Sequence, residues 1–144
     1  MTALLAPDQP LTRWERLRAP LLTVGGLAAT TVALHFRDPH QRGSWGVCPL
    51  SLLGIYCPGC GGLRAVNDLT NGDVRAAASS NLLVTVGIPI AVLALALWVL
   101  RAWRGTPPRT LPTGVDRALW WGAAVVAMAF FVLRNTPQGA WLAP

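Results

Sequence analysis

Charged side chains are scarce in this chain of 144 residues. Only 12% of the residues are charged and lysine is absent, whereas 53% are hydrophobic. A soluble domain usually has about 25% charged residues, so the composition favours a membrane protein, and the length allows one domain. The apolar content excludes a disordered chain. The net charge of +6 comes from scattered arginines without a basic run, so we expect no nucleic-acid partner.

Three apolar stretches without charged residues predict membrane-spanning helices, at about residues 19–36, 76–100 and 118–133. A helix needs about 20 apolar residues to cross a hydrocarbon layer about 30 Å thick. Several of the seven tryptophans lie near the ends of these stretches, where indole rings prefer the headgroup layer. The sequence therefore predicts an all-α membrane protein that forms a single integral domain over residues 1–144, with the lipid bilayer as its surroundings.

The arginines that flank the third span and the glycine and proline inside the second span lead to two further expectations. Arg117 and Arg134 bracket the third span, and their long stems are expected to extend outward to water. Gly87 and Pro89 lie near the middle of the second span, where proline removes a backbone donor and predicts a kink.

The arginines are divided unequally between the two sides of the predicted spans. Seven lie in the N-terminal flank and in the connection between the second and third spans, and five lie on the opposite side. Positive residues are enriched in cytoplasmic loops. The distribution favours a cytoplasmic N-terminus in the inner membrane of a bacterial cell, with the segment between the first two spans outside.

All three cysteines lie in this outside segment, at about residues 43–72, which is too short and too rich in glycine and proline to span. Cys48, Cys57 and Cys60 fall within thirteen positions. We expect a re-entrant or interfacial loop, then a short helix that ends at an Asn-Gly turn, with Asp73 as the N-cap of the second span.

Metal coordination is one interpretation of the cysteines. The Cys57-Pro-Gly-Cys60-Gly turn resembles the knuckle of a zinc ribbon, which supplies two ligands. A closed tetrahedral site needs four ligands. Cys48 would be the third, and His40 or His35 the fourth, around zinc or iron.

Thiol chemistry and a structural disulfide are the other two interpretations. If Pro58 began a helix, Cys57 would be at its N-cap, where the helix dipole would lower the pKa of the thiol. The glycines that follow disfavour such a helix. A disulfide between two of the three cysteines would instead staple the loop, and the sequence leaves all three pairings open.

Two charged residues follow the cysteines at helical spacing. Cys60, Arg64 and Asp68 recur at i, i+4 and i+8, which would place them on one helix face. Arg64 could stabilise a thiolate or hold an anionic headgroup. We favour an orienting role in which Arg64 pairs with Asp68, because an unpaired charge in a poorly hydrated loop is costly.

The cysteine segment resembles a family of small bacterial membrane proteins of unknown function. The resemblance lies in Cys48-Pro49, in the run from Cys57 to Ala65, in the Gly72-Asp73 turn and in Asn81 at the start of a hydrophobic helix, over about residues 47–83. Leu63 departs from the threonine that is frequent in the motif. The resemblance implies an integral membrane location and a defining cysteine loop, and it supplies no activity.

These observations lead to two functional hypotheses. The first is a non-catalytic accessory or assembly subunit of a larger membrane complex, of which a respiratory complex is one example, with a disulfide-stapled loop. Three helices enclose little interior, and no complete catalytic set is present, so an enzyme is disfavoured. The alternative is a metal-binding or thiol–disulfide protein that uses the three cysteines.

Overall fold

The computed structural model describes residues 12–41, 45, 48–107 and 111–143, and over this part of the chain helices connected by turns and loops are its secondary structure, without a strand. The helices are α1 (Arg13–Phe36), α2 (Pro49–Leu52), α3 (Gly62–Thr70), α4 (Val74–Arg104), α5 (Thr113–Arg134) and a C-terminal 3-10 helix (Pro137–Leu142). Three of them, α1, α4 and α5, are long and apolar enough to cross a membrane. The predicted all-α fold class is confirmed. Residues 43, 44, 46 and 47 of the predicted cysteine loop lie outside the described residues.

The long helices extend beyond the uncharged stretches of the sequence. α1 begins at Arg13, six residues before the predicted span, because Thr12 and Glu15 form a capping box in which each side chain accepts a hydrogen bond from the other residue's backbone N–H. α4 continues through Arg104 and ends at Gly105, whose φ of +69° closes the helix in the left-handed conformation. Helix ends are therefore set by caps rather than by the limits of hydrophobicity.

α4 is interrupted near its start rather than at its proline. Asn81 is the residue inside α4 with non-helical dihedral angles, φ −164° and ψ 100°. These dihedral angles do not test the kink that the sequence predicts near Gly87 and Pro89, which stays a prediction. The side chain of Asn81 bonds to two carbonyl groups of the cysteine segment, and this contact explains why the helix breaks there.

A buried polar network joins α3 to α1 and α4. The Asn67 amide donates to the Leu34 carbonyl at the end of α1, at 2.7 Å. Asp68 accepts a hydrogen bond from the Ser80 hydroxyl at 2.8 Å. α1 packs along α4, and α3 packs across both at one end. α5 contacts mainly the 3-10 helix, which also rests on α4.

The chain direction defines two ends of the helical assembly. The cysteine end contains the C-terminus of α1, the segment with α2 and α3, the N-terminus of α4, the C-terminus of α5 and the 3-10 helix. The arginine end contains the N-termini of α1 and α5 and the C-terminus of α4. Between the two ends the long helices expose most of their apolar side chains, as a lipid-facing surface does.

Candidate metal centre

The three cysteines converge at the cysteine end. The Cys57 and Cys60 Sγ atoms are 3.0 Å apart, those of Cys48 and Cys57 are 3.9 Å apart, and all three lie within 4.8 Å of one another. In tetrahedral zinc sites with Zn–S bonds of about 2.3 Å, neighbouring sulfur atoms are about 3.8 Å apart. The separation of Cys48 and Cys57 matches this value, and that of Cys57 and Cys60 is shorter by about 0.8 Å. The three sulfur atoms are thus near enough to one another to hold one metal ion. The structure holds them as free thiols.

Tight turns bring the sulfur atoms together. Cys48 is the N-cap of α2, which begins at Pro49. Cys57 and Cys60 close a turn in which the Cys60 N–H donates to the Cys57 carbonyl at 3.0 Å. Gly61 then takes a φ of +78°, which an L side chain rarely adopts, and becomes the N-cap of α3. This turn has the glycine after the second cysteine that the knuckle interpretation requires.

The position of α3 weakens the helix-dipole argument for thiol chemistry. Its first residue is Gly62, so the N-terminus of the helix follows Cys60. The condition of that interpretation, a helix that begins at Pro58 with Cys57 as its N-cap, is not met, because the residues between the two cysteines form a turn. No helix N-terminus therefore activates Cys57 in the way proposed for an oxidoreductase motif.

The surroundings of Cys60 and Cys48 shift the pKa values of these two thiols in opposite directions. Burial raises the pKa of the Cys60 thiol to about 12, and the neighbouring Cys57 and Cys48 thiols add to this rise. A hydrogen bond from the Ser51 backbone lowers the pKa of Cys48, and Cys60 contributes through a side-chain hydrogen bond. A buried thiol becomes a thiolate when a cation offsets the loss of solvation, and a coordinated metal ion does this directly.

Arg134 supplies a buried positive charge beside the cysteine turn. Its side chain is 2% exposed, and one terminal nitrogen donates to the carbonyls of Cys57 and Cys60, at 2.8 and 3.1 Å. The other terminal nitrogen donates to the Leu142 carbonyl at 3.0 Å. The expectation that Arg134 extends outward to water is wrong, because carbonyl groups of the turn and of the 3-10 helix attract its guanidinium inward.

The charge of Arg134 has no carboxylate partner within the described part of the chain. Its Nε atom is also buried there without a hydrogen-bond partner. A buried cation without a counter-charge is costly. The nearby groups that can become anionic are the thiols of Cys57 and Cys60 and the hydroxyl of Tyr56, and all three interact electrostatically with Arg134.

Two asparagines fix the backbone of the cysteine segment to the spans. The fully buried Asn81 amide donates to the carbonyls of Pro58 and Cys60, at 2.8 and 3.0 Å. Asn135, after the end of α5, exchanges two hydrogen bonds of 2.9 Å with the backbone of Tyr56. The sequence signal that could have indicated a structural role for both residues is a polar amide side chain within or next to an apolar helix.

The other residues singled out from the sequence lie apart from the sulfur cluster. His40 Nε2 is 2.8 Å from the buried Asp68 carboxylate, so this histidine is held against α3. Asp68 therefore pairs with His40 and Ser80 rather than with Arg64. Asp73 is the N-cap of α4 and accepts a hydrogen bond from the backbone of Ala76 at 2.8 Å. The ligand group formed by described residues consists of the three cysteines.

Comparison with known proteins reaches the same segment. Residues 48–95 match the model of a family described as a protein of unknown function (DUF2752). The match covers the three cysteines, α3 and α4 as far as residue 95, and it is consistent with the resemblance seen in the sequence. No curated protein matches the chain, and no solved structure does.

Proposed function

We propose that the cysteine end binds one thiophilic divalent metal ion, zinc or iron, through the thiolates of Cys48, Cys57 and Cys60. The observation that carries this proposal is the convergence of three sulfur atoms beside a buried arginine that lacks a carboxylate partner among the described residues. Soft thiolate ligands suit zinc and iron. The metal would supply a structural tie between the turns, or a Lewis-acid centre.

Charge balance favours a divalent ion. Three thiolates and one divalent cation have a net charge of about −1 by simple counting, because coordinating thiols are deprotonated. The guanidinium of Arg134 brings this partly buried group to neutrality, and neutral groups are the least costly to bury. Three reduced, protonated thiols would leave the charge of Arg134 without a counter-charge among the described carboxylates.

The fourth ligand would come from outside the cysteine cluster. His40 is engaged with Asp68, and the Nδ1 atom of His35 lies 3.2 Å from the Thr70 hydroxyl. Positions 42–44 and 46–47, which precede Cys48 and which the structure does not describe, contain no cysteine, histidine or carboxylate in the sequence. Water or a group from another molecule would complete a tetrahedral ion. Such a site is open in the sense used for catalytic zinc centres.

Metal content and thiol state test the proposal together. The full chain is purified in a mild detergent without oxidation, and its zinc and iron are measured by elemental analysis beside a count of reactive thiols. We expect about one equivalent of metal in the wild type, a loss of at least tenfold in affinity in Cys60→Ser, and unchanged stoichiometry in the control His40→Ala.

The alternatives predict different results in the same experiment. One reversible disulfide without metal would support thiol–disulfide chemistry and contradict metal binding. A disulfide that resists mild reductants would support the structural staple. Absence of a disulfide in protein purified without reductant, together with absence of metal after incubation of the reduced protein with zinc or iron, would refute all three interpretations of the cysteines.

A second candidate role is that of an accessory or assembly subunit in a larger membrane complex, for instance a respiratory one. It is supported by α5, of which only Phe130 and Arg134 are buried, and which packs extensively on neither α1 nor α4 among the described residues. Such a helix offers an open surface to another subunit. Copurification of a partner in fixed stoichiometry from mild detergent is the expected result, and a lone monomer would contradict it.

For location we propose the cytoplasmic membrane of a bacterial cell, with the arginine end inside and the cysteine end outside. The support is the division of arginines, seven against five, between the two sides of the spans. Reporter domains fused to each terminus test this orientation. A reporter that is active only in the cytoplasm should work at the N-terminus and fail at the C-terminus, and the reverse result would overturn it.

A further inference from the structure

The arginine end of the protein is strongly electropositive. Its described residues carry six guanidinium groups and two carboxylates, an excess of four positive charges. The cations are Arg13, Arg16, Arg18, Arg101, Arg104 and Arg117, and the acids are Glu15 and Asp116. Glu15 is already engaged by the capping box at the start of α1. A surface of this sign attracts anions before any contact forms.

A shallow groove of about 340 Å³ lies on this surface along the last turns of α4. It is lined by Leu97, Leu100, Arg101, Arg104, Thr106 and Pro107. The two leucines and the two arginines recur at helical spacing and share one face. Because they span about 10 Å along the helix axis, the groove changes from apolar to cationic over roughly two turns.

The two arginines of the groove are available to a ligand. Arg101 and Arg104 are exposed, and no carboxylate lies within ion-pair distance of either one in the part of the chain that the structure describes. Both arginines lie in the last turn of α4, which ends at the C-cap Gly105. This is the end of a candidate membrane-spanning helix, where headgroup phosphates would be expected.

α1 places further positive charge at the edge of the groove. The Arg13 guanidinium lies over the Trp103 ring, 5.1 Å from its centre. The Arg16 guanidinium lies against Gly105, where an added Cβ atom would be 3.1 Å from its Cζ atom. Trp98 and Trp103 near the end of α4 also suit the interfacial layer of a bilayer.

We propose that this groove binds an anionic phospholipid, with its phosphate at Arg101 and Arg104 and an acyl chain along Leu97 and Leu100. A soluble phosphate would use the arginines and gain nothing from the leucines. A lipid uses both parts of the groove, and basic pockets beside spanning helices are suited to anionic headgroups. The proposal is independent of the metal site at the opposite end of the protein.

Lipid binding to the full chain is the test. Wild-type protein in an uncharged detergent is titrated with phosphatidylglycerol, and bound lipid is counted by native mass spectrometry. Phosphatidylcholine and inorganic phosphate are the competitors. Each arginine near a membrane surface is worth about a factor of five in affinity for anionic lipid, so Arg101→Gln/Arg104→Gln should weaken binding about 25-fold. The control Arg37→Gln/Arg75→Gln removes the same charge at the cysteine end and should leave binding unchanged.

Each outcome bears on the proposal. Equal binding of phosphatidylglycerol by the wild type and the Arg101→Gln/Arg104→Gln variant would overturn it, and so would equal competition by phosphatidylcholine. Displacement of the lipid by inorganic phosphate at the same concentration would assign the groove to a soluble anion and overturn the lipid proposal. The comparison of phosphatidylglycerol with phosphatidylcholine is made on the wild-type protein, so this part of the test remains valid even if the double variant folds poorly. Arg101→Lys/Arg104→Lys should keep binding within about fivefold, because the charge remains.

Discussion

Replacing Arg134 by methionine separates the charge of this residue from its bulk. The substitution keeps an unbranched apolar stem and removes the guanidinium, which lies buried among the carbonyls of Cys57, Cys60 and Leu142. If the guanidinium balances a metal–thiolate group, the metal affinity should fall by much more than the stability of the metal-free protein.

The structure sets the expected size of each effect. The carbonyls of Cys57 and Cys60 keep other donors in Arg134→Met, namely the Cys60 N–H and the Asn81 amide. The Leu142 carbonyl loses the side chain that binds it, which costs about 1–3 kcal/mol, and removal of an unpaired buried charge offsets part of that cost. Partners of metal ligands typically contribute 10–100-fold in affinity. We therefore expect metal binding to weaken about 10–100-fold, with at most about 2 kcal/mol lost from the metal-free protein.

Arg64→Met is the matched control. This substitution removes the same charge from α3, the helix that follows Cys60. Arg64 is the arginine for which the sequence predicts an orienting role, yet among the described residues it donates no hydrogen bond to the cysteine turn. Metal affinity is measured by competition with a chelator in detergent, and stability by thermal unfolding of the metal-free protein. Equal metal affinity of the wild type and Arg134→Met, or an equal loss in Arg64→Met, would refute the role of Arg134 as the counter-charge.

Three further predictions concern the scaffold of the site. Gly61→Ala should lower the free energy of unfolding by about 1–2 kcal/mol in thermal unfolding, because an L residue is strained at φ +78°. The control Gly59→Ala, whose added Cβ would meet nothing closer than 4.0 Å, should change that free energy by less than about 0.5 kcal/mol. Equal effects of the two substitutions would contradict the argument. Asn81→Leu should cost about 2–4 kcal/mol, since it leaves the Pro58 carbonyl without this donor, and a stable variant would show that the amide is dispensable. His40→Ala should cost only about 1 kcal/mol, because the histidine is 41% exposed and the buried Asp68 carboxylate keeps its hydrogen bond from Ser80. A much larger loss in the same unfolding assay would contradict this argument.

The spans could be predicted from the sequence because hydrophobicity over about 20 residues is a local property. Their ends could not, since they depend on caps such as Thr12 and Gly105 that lie outside the apolar stretches. The break in α4 also escaped prediction. Proline at position 89 is the obvious local signal, but the helix yields at Asn81, where a tertiary contact with the cysteine segment outweighs the helical preference of the backbone.

The cysteines of the candidate site could be found in the sequence, and the residues that surround them only in part. A cluster of three cysteines in thirteen positions is visible without a structure. Arg134 follows them by more than seventy positions, and at the end of a span an arginine is normally read as an outward anchor. Arg64 and His40 are closer in sequence to the cysteines, yet Arg64 donates no hydrogen bond to the turn among the described residues and His40 is held by Asp68. Proximity along the chain was a poor guide to proximity in space.

The contacts of Arg134 and Asn135 also explain how the third span is held. α5 packs extensively on neither α1 nor α4 among the described residues, so its attachment at the cysteine end rests on the 3-10 helix and on hydrogen bonds to the cysteine segment. A ligand that binds only the folded site stabilises every contact that forms it. Metal bound by the cysteines would therefore fix the end of α5 against the rest of the protein, although none of the proposed ligands of the metal belongs to α5.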